Sequence, residues 1–245
     1  MKTNQSACFL FSLMIDAFKG RMMPAAMNRE YVWAKHDVET LCDSILRNIP
    51  IGSFLLWQPG DKADLTKLAR ARLASIEDFS LDSALGLLLD GQNRLATLIW
   101  LSRLDESTDL MGLSTRERMT WCSEERLVLD AETQRIIFVP ESEATTGLRL
   151  PAWALTPSLT EEHGKRTKRL IMERYEQWKD QFDEASIDQF IDLHELTCDA
   201  FKMARTTVTI IEDATVEEAR EIFMRICRVG VQMSQEDFDR AVAWI

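Results

Sequence analysis

The sequence predicts an α+β fold, a mixed α/β core followed by a mainly helical second half. Three observations carry this. Short apolar or β-branched runs stand at 53–57, 85–89 and 206–211; a strand pair reads at 126–130 and 135–139; and residues 171–201 place apolar side chains at helical spacing. Of 245 residues, 46% are hydrophobic and 28% charged, which excludes collagen-like, low-complexity and wholly disordered classes. The length suits one large domain or two small ones. The division expected is a core at 1–140 and a helical region at 141–245, which returns to the core through strand 206–211 and a helix at 215–228.

The elements follow in order. Ala7 to Ile15 is an apolar stretch as long as a signal-peptide core. Asp16 interrupts it and no small-x-small cleavage site follows, so a buried first helix is expected. Asp37 is placed to cap a helix whose stripe is Val38, Leu41, Cys42, Ile45 and Leu46, ending at Ile49-Pro50. Ser53 to Trp57 reads as a strand closed by Pro59-Gly60, and residues 61–80 as a polar helical insertion. Leu85 to Leu89 reads as a buried strand, and Leu95 to Leu104 as a helix. Arg126–Asp130 and Arg135–Val139 flank a turn at Ala131–Gln134, and residues 141–150 read as a polar loop. Ile171, Tyr175, Trp178 and Phe182 share one helical face; Ile187, Phe190, His194, Cys198 and Phe201 share another. Thr206 to Ile211 is β-branched, hence a strand. Thr215 with Glu218 forms a capping box before Val216, Ala219, Ile222, Phe223 and Ile226, and Val229-Gly230 ends that helix. Ser234 with Asp237 starts a last helix.

Charge and motif counts narrow the function classes. Lys and Arg number 29 and Asp and Glu 40, so the net charge is 29 − 40 = −11, which disfavours stand-alone nucleic-acid binding. The basic cluster His163 to Arg169 reads as a solvated helix start. No apolar run approaches the ~18–20 residues of a membrane span. Five Cys, an odd number without CxxC, point to a reduced, cytoplasmic protein. The three His lie far apart, and neither zinc spacing nor HExxH, GxSxG or GxxxxGK[ST] occurs.

Chemistry is concentrated in three segments. In Leu87 to Leu101 a strand ends at Asp90, turns at Gly91 and enters a helix at once. The first helical amides, near Gln92 and Asn93, have no intrahelical partner and favour an anion such as phosphate. Arg94 adds a positive fork, and Asp90 could hold a divalent metal or orient a water. The bland alternative is a turn in which Asp90 is a cap and Arg94 a surface ion pair. In Met27 to Asp37, a strand would put Arg29, Tyr31 and Trp33 on one face, to clasp a base or phosphate. Tyr31 and Trp33 could equally be core. In Ile222 to Phe238, Arg225 and Arg228 stand near a helix end, where a packing role is favoured.

These segments in this order resemble the amino-terminal domain of GmrSD-type modification-dependent restriction enzymes, a family with a ParB/sulfiredoxin-like core. Pro24 to Trp33 (PAAMNREYVW) is similar to its Pro-x-x-Gln-Arg-x-Tyr-Val-Trp segment, and Ser44 to Gly52 (SILRNIPIG) to its SILRGYPIG segment. Asp90 to Leu98 (DGQNRLATL) resembles the Asp-Gly-Gln-Gln-Arg signature, and Phe223 to Ser234 (FMRICRVGVQMS) a Phe-x-Arg-Ile-Asn-x-Gly-Gly segment. The departures are Asn28 and Asn93 for Gln, Cys227 for Asn and Val229 for Gly. The resemblance implies nucleotide binding and hydrolysis that regulate an HNH-type nuclease, on a partner subunit or in a C-terminal domain beyond this chain. Asp90, Gln92 and Arg94 would be catalytic. Arg29, Tyr31, Gly91, Asn93 and Arg225 would bind a nucleoside triphosphate, with Asp90 the ligand of Mg²⁺. DNA would be met only through the complex. The rivals are a non-catalytic sensing module and a domain that itself binds or nicks DNA.

Overall fold

The computed structural model describes residues 1–61, 65, 67–69, 83–103, 113–156 and 161–228. The expected helical insertion lies almost wholly outside these residues, as does the expected last helix. The strands in chain order are β1 (Lys2–Phe9), β2 (Met22–Pro24), β3 (Phe54–Gln58), β4 (Gly86–Asp90), β5 (Glu125–Asp130), β6 (Arg135–Pro140), β7 (Arg149–Pro151) and β8 (Arg205–Glu212). The helices are α1 (Leu10–Phe18), α2 (Lys35–Leu46), α3 (Gln92–Leu101), α4 (Thr115–Trp121), α5 (Glu161–Trp178), α6 (Glu184–Met203) and α7 (Val216–Arg228).

A five-stranded mixed sheet, ordered β1-β8-β3-β4-β2, positions the rest. β8 is antiparallel to β1 and parallel to β3, while β4 is antiparallel to β3 and parallel to β2. The apolar runs at β3 and β4 follow from this central place, because both sheet faces are covered. Phe54, Leu56 and Leu88 face one apolar cluster, with Leu10, Met14, Val38, Leu95, Leu98 and Phe190 of the helices. Leu55, Trp57, Leu87 and Leu89 face a second, closed by Met23, Ala219 and the partly buried Ile222 and Phe223. Trp57 donates its Nε1–H to the Ala214 carbonyl at 3.0 Å, which pins the entry to α7 against the sheet. A second sheet, ordered β6-β5-β7, packs through β6 against α2.

Four sequence expectations change. Residues 7–9 belong to an exposed strand, and the first helix begins only at Leu10. Asp37 is not the N-cap of α2. That residue is Ala34, and Asp37, three residues on, accepts the Ala34 N–H at 2.8 Å. The loop at 141–150 ends in strand β7, which pairs with β5 through only three residues. The helix that starts directly after Gly91, as expected, ends at Leu101 and is capped at Ser102, short of the end expected at Leu104.

Other readings stand as expected. The hairpin pairs Leu127 with Phe138 and Asp130 with Arg135. In the basic cluster, Lys165 and Arg166 pair with Glu161 and Glu162 one turn back, and His163 is buried with a ring nitrogen 2.7 Å from the Trp153 carbonyl. His194 is a core residue beside the Ala154 carbonyl. Among the described residues no helix is long and apolar enough to cross a membrane.

The capping box of α7 is complete: Thr215 N–H donates to Glu218 Oε2 at 2.8 Å and Glu218 N–H to Thr215 Oγ1 at 3.2 Å. Thr215→Ala removes one half of it and should cost about 1 kcal/mol in urea denaturation with an unchanged far-UV spectrum.

Candidate functional site

The site is built on the passage from β4 to α3. Gly91 sits at φ 95°, a left-handed conformation, and a Cβ there would lie 2.3 Å from the Phe54 ring. The tight turn and the close approach of Phe54 both require glycine. α3 begins at the next residue, and no side chain caps it. Its first amides therefore lack intrahelical acceptors at the wall of a cleft of about 610 Å³. The cleft is lined by Asp90 to Arg94 on the α3 side, Met27 to Arg29 and Trp33 on the facing segment, and Leu89, Phe223 and Ile226 as an apolar wall.

Arg94 occupies a different place from the free positive fork expected. One guanidinium nitrogen donates to the Ile51 carbonyl at 2.6 Å. The other donates to the Ser53 carbonyl at 2.8 Å and to Asp90 Oδ2 at 3.2 Å. The group lies 4.9 Å from the centre of the Phe54 ring. Burial lowers its pKa and the Asp90 carboxylate opposes this, so the cation is kept by its partner. A Cβ at Gly52 (φ 87°) would stand 2.3 Å from this guanidinium, which explains why an Ile-Pro-Ile-Gly loop accompanies the Asp-Gly-Gln-Asn-Arg turn. Arg94 thus lines the cleft with its guanidinium already engaged, holding Asp90 and the 51–53 loop. Asp90 is itself half-exposed, and its Oδ1 takes no hydrogen bond from the described residues.

Gln92 also departs from its expected part. Its Nε2 donates to the Arg29 carbonyl at 3.0 Å, which leaves Oε1 inward, buried and without a partner. The reverse orientation would set two acceptors against each other. An acceptor cannot hold a phosphate oxygen; it can accept a hydrogen bond from water.

Residues 29–33 form no strand. Their backbone groups are held by side chains from two helices. Besides Gln92, Asn93 Oδ1 accepts the Val32 N–H at 3.2 Å, Ser114 Oγ donates to the Tyr31 carbonyl at 3.1 Å, and Thr120 Oγ1 donates to the Trp33 carbonyl at 2.9 Å. Arg29 and Trp33 are delivered to the cleft, and Arg29 has no ion-pair partner among the described residues. Tyr31, expected to bind the ligand, is buried outside the cleft lining. Its hydroxyl meets Thr97 Oγ1 at 2.8 Å and accepts from Trp121 Nε1 at 3.2 Å. Burial pushes the phenol up to about 12, so it stays neutral. Arg225 likewise misses the cleft: it is exposed and paired with Glu221 one turn back, while Phe223 and Ile226 of the same helix form the wall.

Sequence reasoning missed Asn28, Phe54, Ser114, Thr120 and Trp121. Asn28 is buried and donates to the Leu88 carbonyl of β4 at 2.7 Å. Its position in the first matched segment was a usable signal; the α4 residues carried none. The side chain of Cys227, and Val229, lie outside the described residues. Among those residues no three His, Cys, Asp or Glu side chains gather to ligate a metal.

Comparison decides the family. Residues 23–242 match the GmrSD restriction endonuclease, N-terminal domain. The chain belongs to this family. It is also similar to the uncharacterized protein MJ0686 of Methanocaldococcus jannaschii, 31% identical over 93 residues. That match takes in 37% of this chain and 16% of the relative, so it covers a small part of the longer protein. The mixed sheet with its helical region carries the cleft described above.

Gly91→Ala forces both a left-handed alanine and a clash with Phe54. It should lower stability by about 2 kcal/mol or more in thermal or urea unfolding, and Gly52→Ala should do the same by displacing Arg94.

Proposed function

We propose that the cleft binds a nucleoside triphosphate and hydrolyses it, and that this controls a nuclease activity in a modification-dependent restriction system. The observation that carries the reading is the uncapped N-terminus of α3 at the cleft wall, with Arg29 across from it in no ion pair among the described residues. Amides and a guanidinium so placed favour a phosphate chain. Trp33, Phe223 and Ile226 offer an apolar surface for a base. A ParB/sulfiredoxin-like core is the finer fold reading, supported by the mixed sheet and the strand-to-helix turn of β4 and α3.

The residues fit Mg²⁺ only in company with phosphate. Asp90 is a single carboxylate, and Mg²⁺ commonly takes one or two carboxylates with phosphate oxygens and waters completing its shell. When bound, the metal would neutralise charge on the phosphates. Arg94 holds Asp90 Oδ2 and leaves Oδ1 available. Gln92 Oε1, an acceptor without a donor among the described residues, would accept a hydrogen bond from a water and orient it toward the terminal phosphorus, while the amides of Gln92 and Asn93 hold phosphate oxygens. An HNH-type nuclease, on a partner or in a further domain, would act on DNA.

The test pairs nucleotide titration with phosphate release. Arg29→Ala should weaken binding about tenfold, the loss of one charge-assisted contact. Asp90→Asn should keep its acceptor for Arg94 and its melting temperature yet release no phosphate. Equal loss of stability and turnover would reduce Asp90 to a structural partner of Arg94. A second outcome concerns DNA. With Mg²⁺ or Mn²⁺ this chain should leave modified and unmodified plasmid intact, as neither the −11 charge nor the cleft suits phosphodiester attack. Nicking that Asp90→Asn abolishes would move the DNA-cleaving centre into this cleft.

A further inference from the structure

Among the described residues, three of the four sheet edges are managed within the fold. β2 and β7 are three residues long, and β2 runs on into a bridge between Ala25 and Ala69. Along β6, Glu39 of α2 accepts the outward Phe138 N–H at 2.8 Å. β1 is unlike these. It runs eight residues against β8 in unbroken register, and seven of the eight are exposed. From Thr3 to Phe9 it has no charge, proline or glycine, in a chain that is 28% charged. Edge strands are ordinarily blunted by such residues or by a bulge.

The register fixes which groups are open. Leu10 N–H bonds the Ala204 carbonyl at 2.8 Å, in line with the pairing of Phe9 and Arg205. In an antiparallel ladder alternate residues face the partner, so the even-numbered residues of β1 bond β8. Thr3, Gln5, Ala7 and Phe9 turn both their N–H and C=O outward.

We propose that β1 pairs with β1 of a second copy of this chain, antiparallel about a two-fold axis at Ser6. This register sets Thr3 against Phe9 and Gln5 against Ala7, so all four outward residues are bonded. Asn4 falls against Cys8, and no charged residue of the 3–9 segment faces another. Because residues 3–9 carry no charge, the two-fold sets no like charges opposite each other, and a second copy satisfies every outward group of the edge. Two bodies of −11 repel, and they meet here at an uncharged edge flanked by Lys2 and Arg205. Screening that repulsion strengthens the dimer, so added salt raises its affinity.

Sedimentation equilibrium of the whole chain at rising concentration and at two salt levels tests this. Reversible dimers, tighter at high salt, are expected. Gln5→Pro removes an outward donor without touching the β8 ladder, and Gln5→Lys sets a charge at each edge. Both should raise the dissociation constant at least tenfold with an unchanged far-UV spectrum. A non-bonded pair on a two-fold axis brings its Cα atoms to about 4.5 Å, within disulfide reach. In a Cys8→Ser background, Ser6→Cys should therefore give a covalent dimer under oxidised glutathione, and Asn4→Cys should not. A wild-type monomer at all concentrations, dimers untouched by either Gln5 variant, or a Ser6→Cys protein that fails to cross-link would overturn the pairing.

Discussion

The half-buried guanidinium of Arg94 is the constraint on which the site depends. It joins three pieces that are distant in sequence: the carbonyls of Ile51 and Ser53 before β3, the ring of Phe54 on β3, and the carboxylate of Asp90 at the end of β4. A cation this buried is tolerated because it makes three hydrogen bonds, two to backbone oxygens and one to an anion. The two glycines follow from it. Gly52 leaves room for the guanidinium and Gly91 for the ring that it covers. β3 and β4 are thereby locked at the end where the cleft opens, and Asp90 is presented with one oxygen held and the other available.

A second clasp works across the cleft. The segment from Arg29 to Trp33 has no strand partner, and side chains of Gln92, Asn93, Ser114 and Thr120 satisfy its backbone instead. Beneath it, Tyr31 is fixed by Thr97 and Trp121, and Trp121 stacks on Trp100 with ring centres 5.7 Å apart. Trp100 in turn donates to the buried Glu117 of α4 at 2.7 Å. Helix α4 is thus tied to α3 through a polar-aromatic layer, and a shift of α4 would move Arg29 and Trp33.

The parts legible in the sequence are those whose signal is local. Leu85 to Leu89 read as a buried strand because a central strand covered on both faces needs a continuous apolar run. Asp90 to Arg94 read as a turn and helix start because Gly91 stands directly before the helix. What failed depended on distant partners. The alternation of Arg29, Tyr31 and Trp33 imitated a strand, while the groups that bond this segment come from positions 92 to 120. Arg94 read either as a phosphate fork or as a surface ion pair, and its anchoring stayed hidden since the Ile51 and Ser53 carbonyls that bind it leave no mark on composition. Arg225 looked like a site residue through the family pattern, although helical spacing alone aligns Phe223 with Ile226. β1 was hidden by the apolar stretch that begins within it and continues into α1, and β7 by its length of three residues.

Amide hydrogen exchange of the whole chain, with and without a non-hydrolysable nucleoside triphosphate and Mg²⁺, tests the central claim most directly. The first amides of α3, from Gln92 to Arg94, have no intrahelical acceptor, and exchange reports such groups individually. Bound phosphate should slow these amides, together with the segment at 29–33, and leave the β5–β6 hairpin unchanged. Unaltered exchange at Gln92 to Arg94 at saturating nucleotide, or protection confined to another surface, would contradict the account.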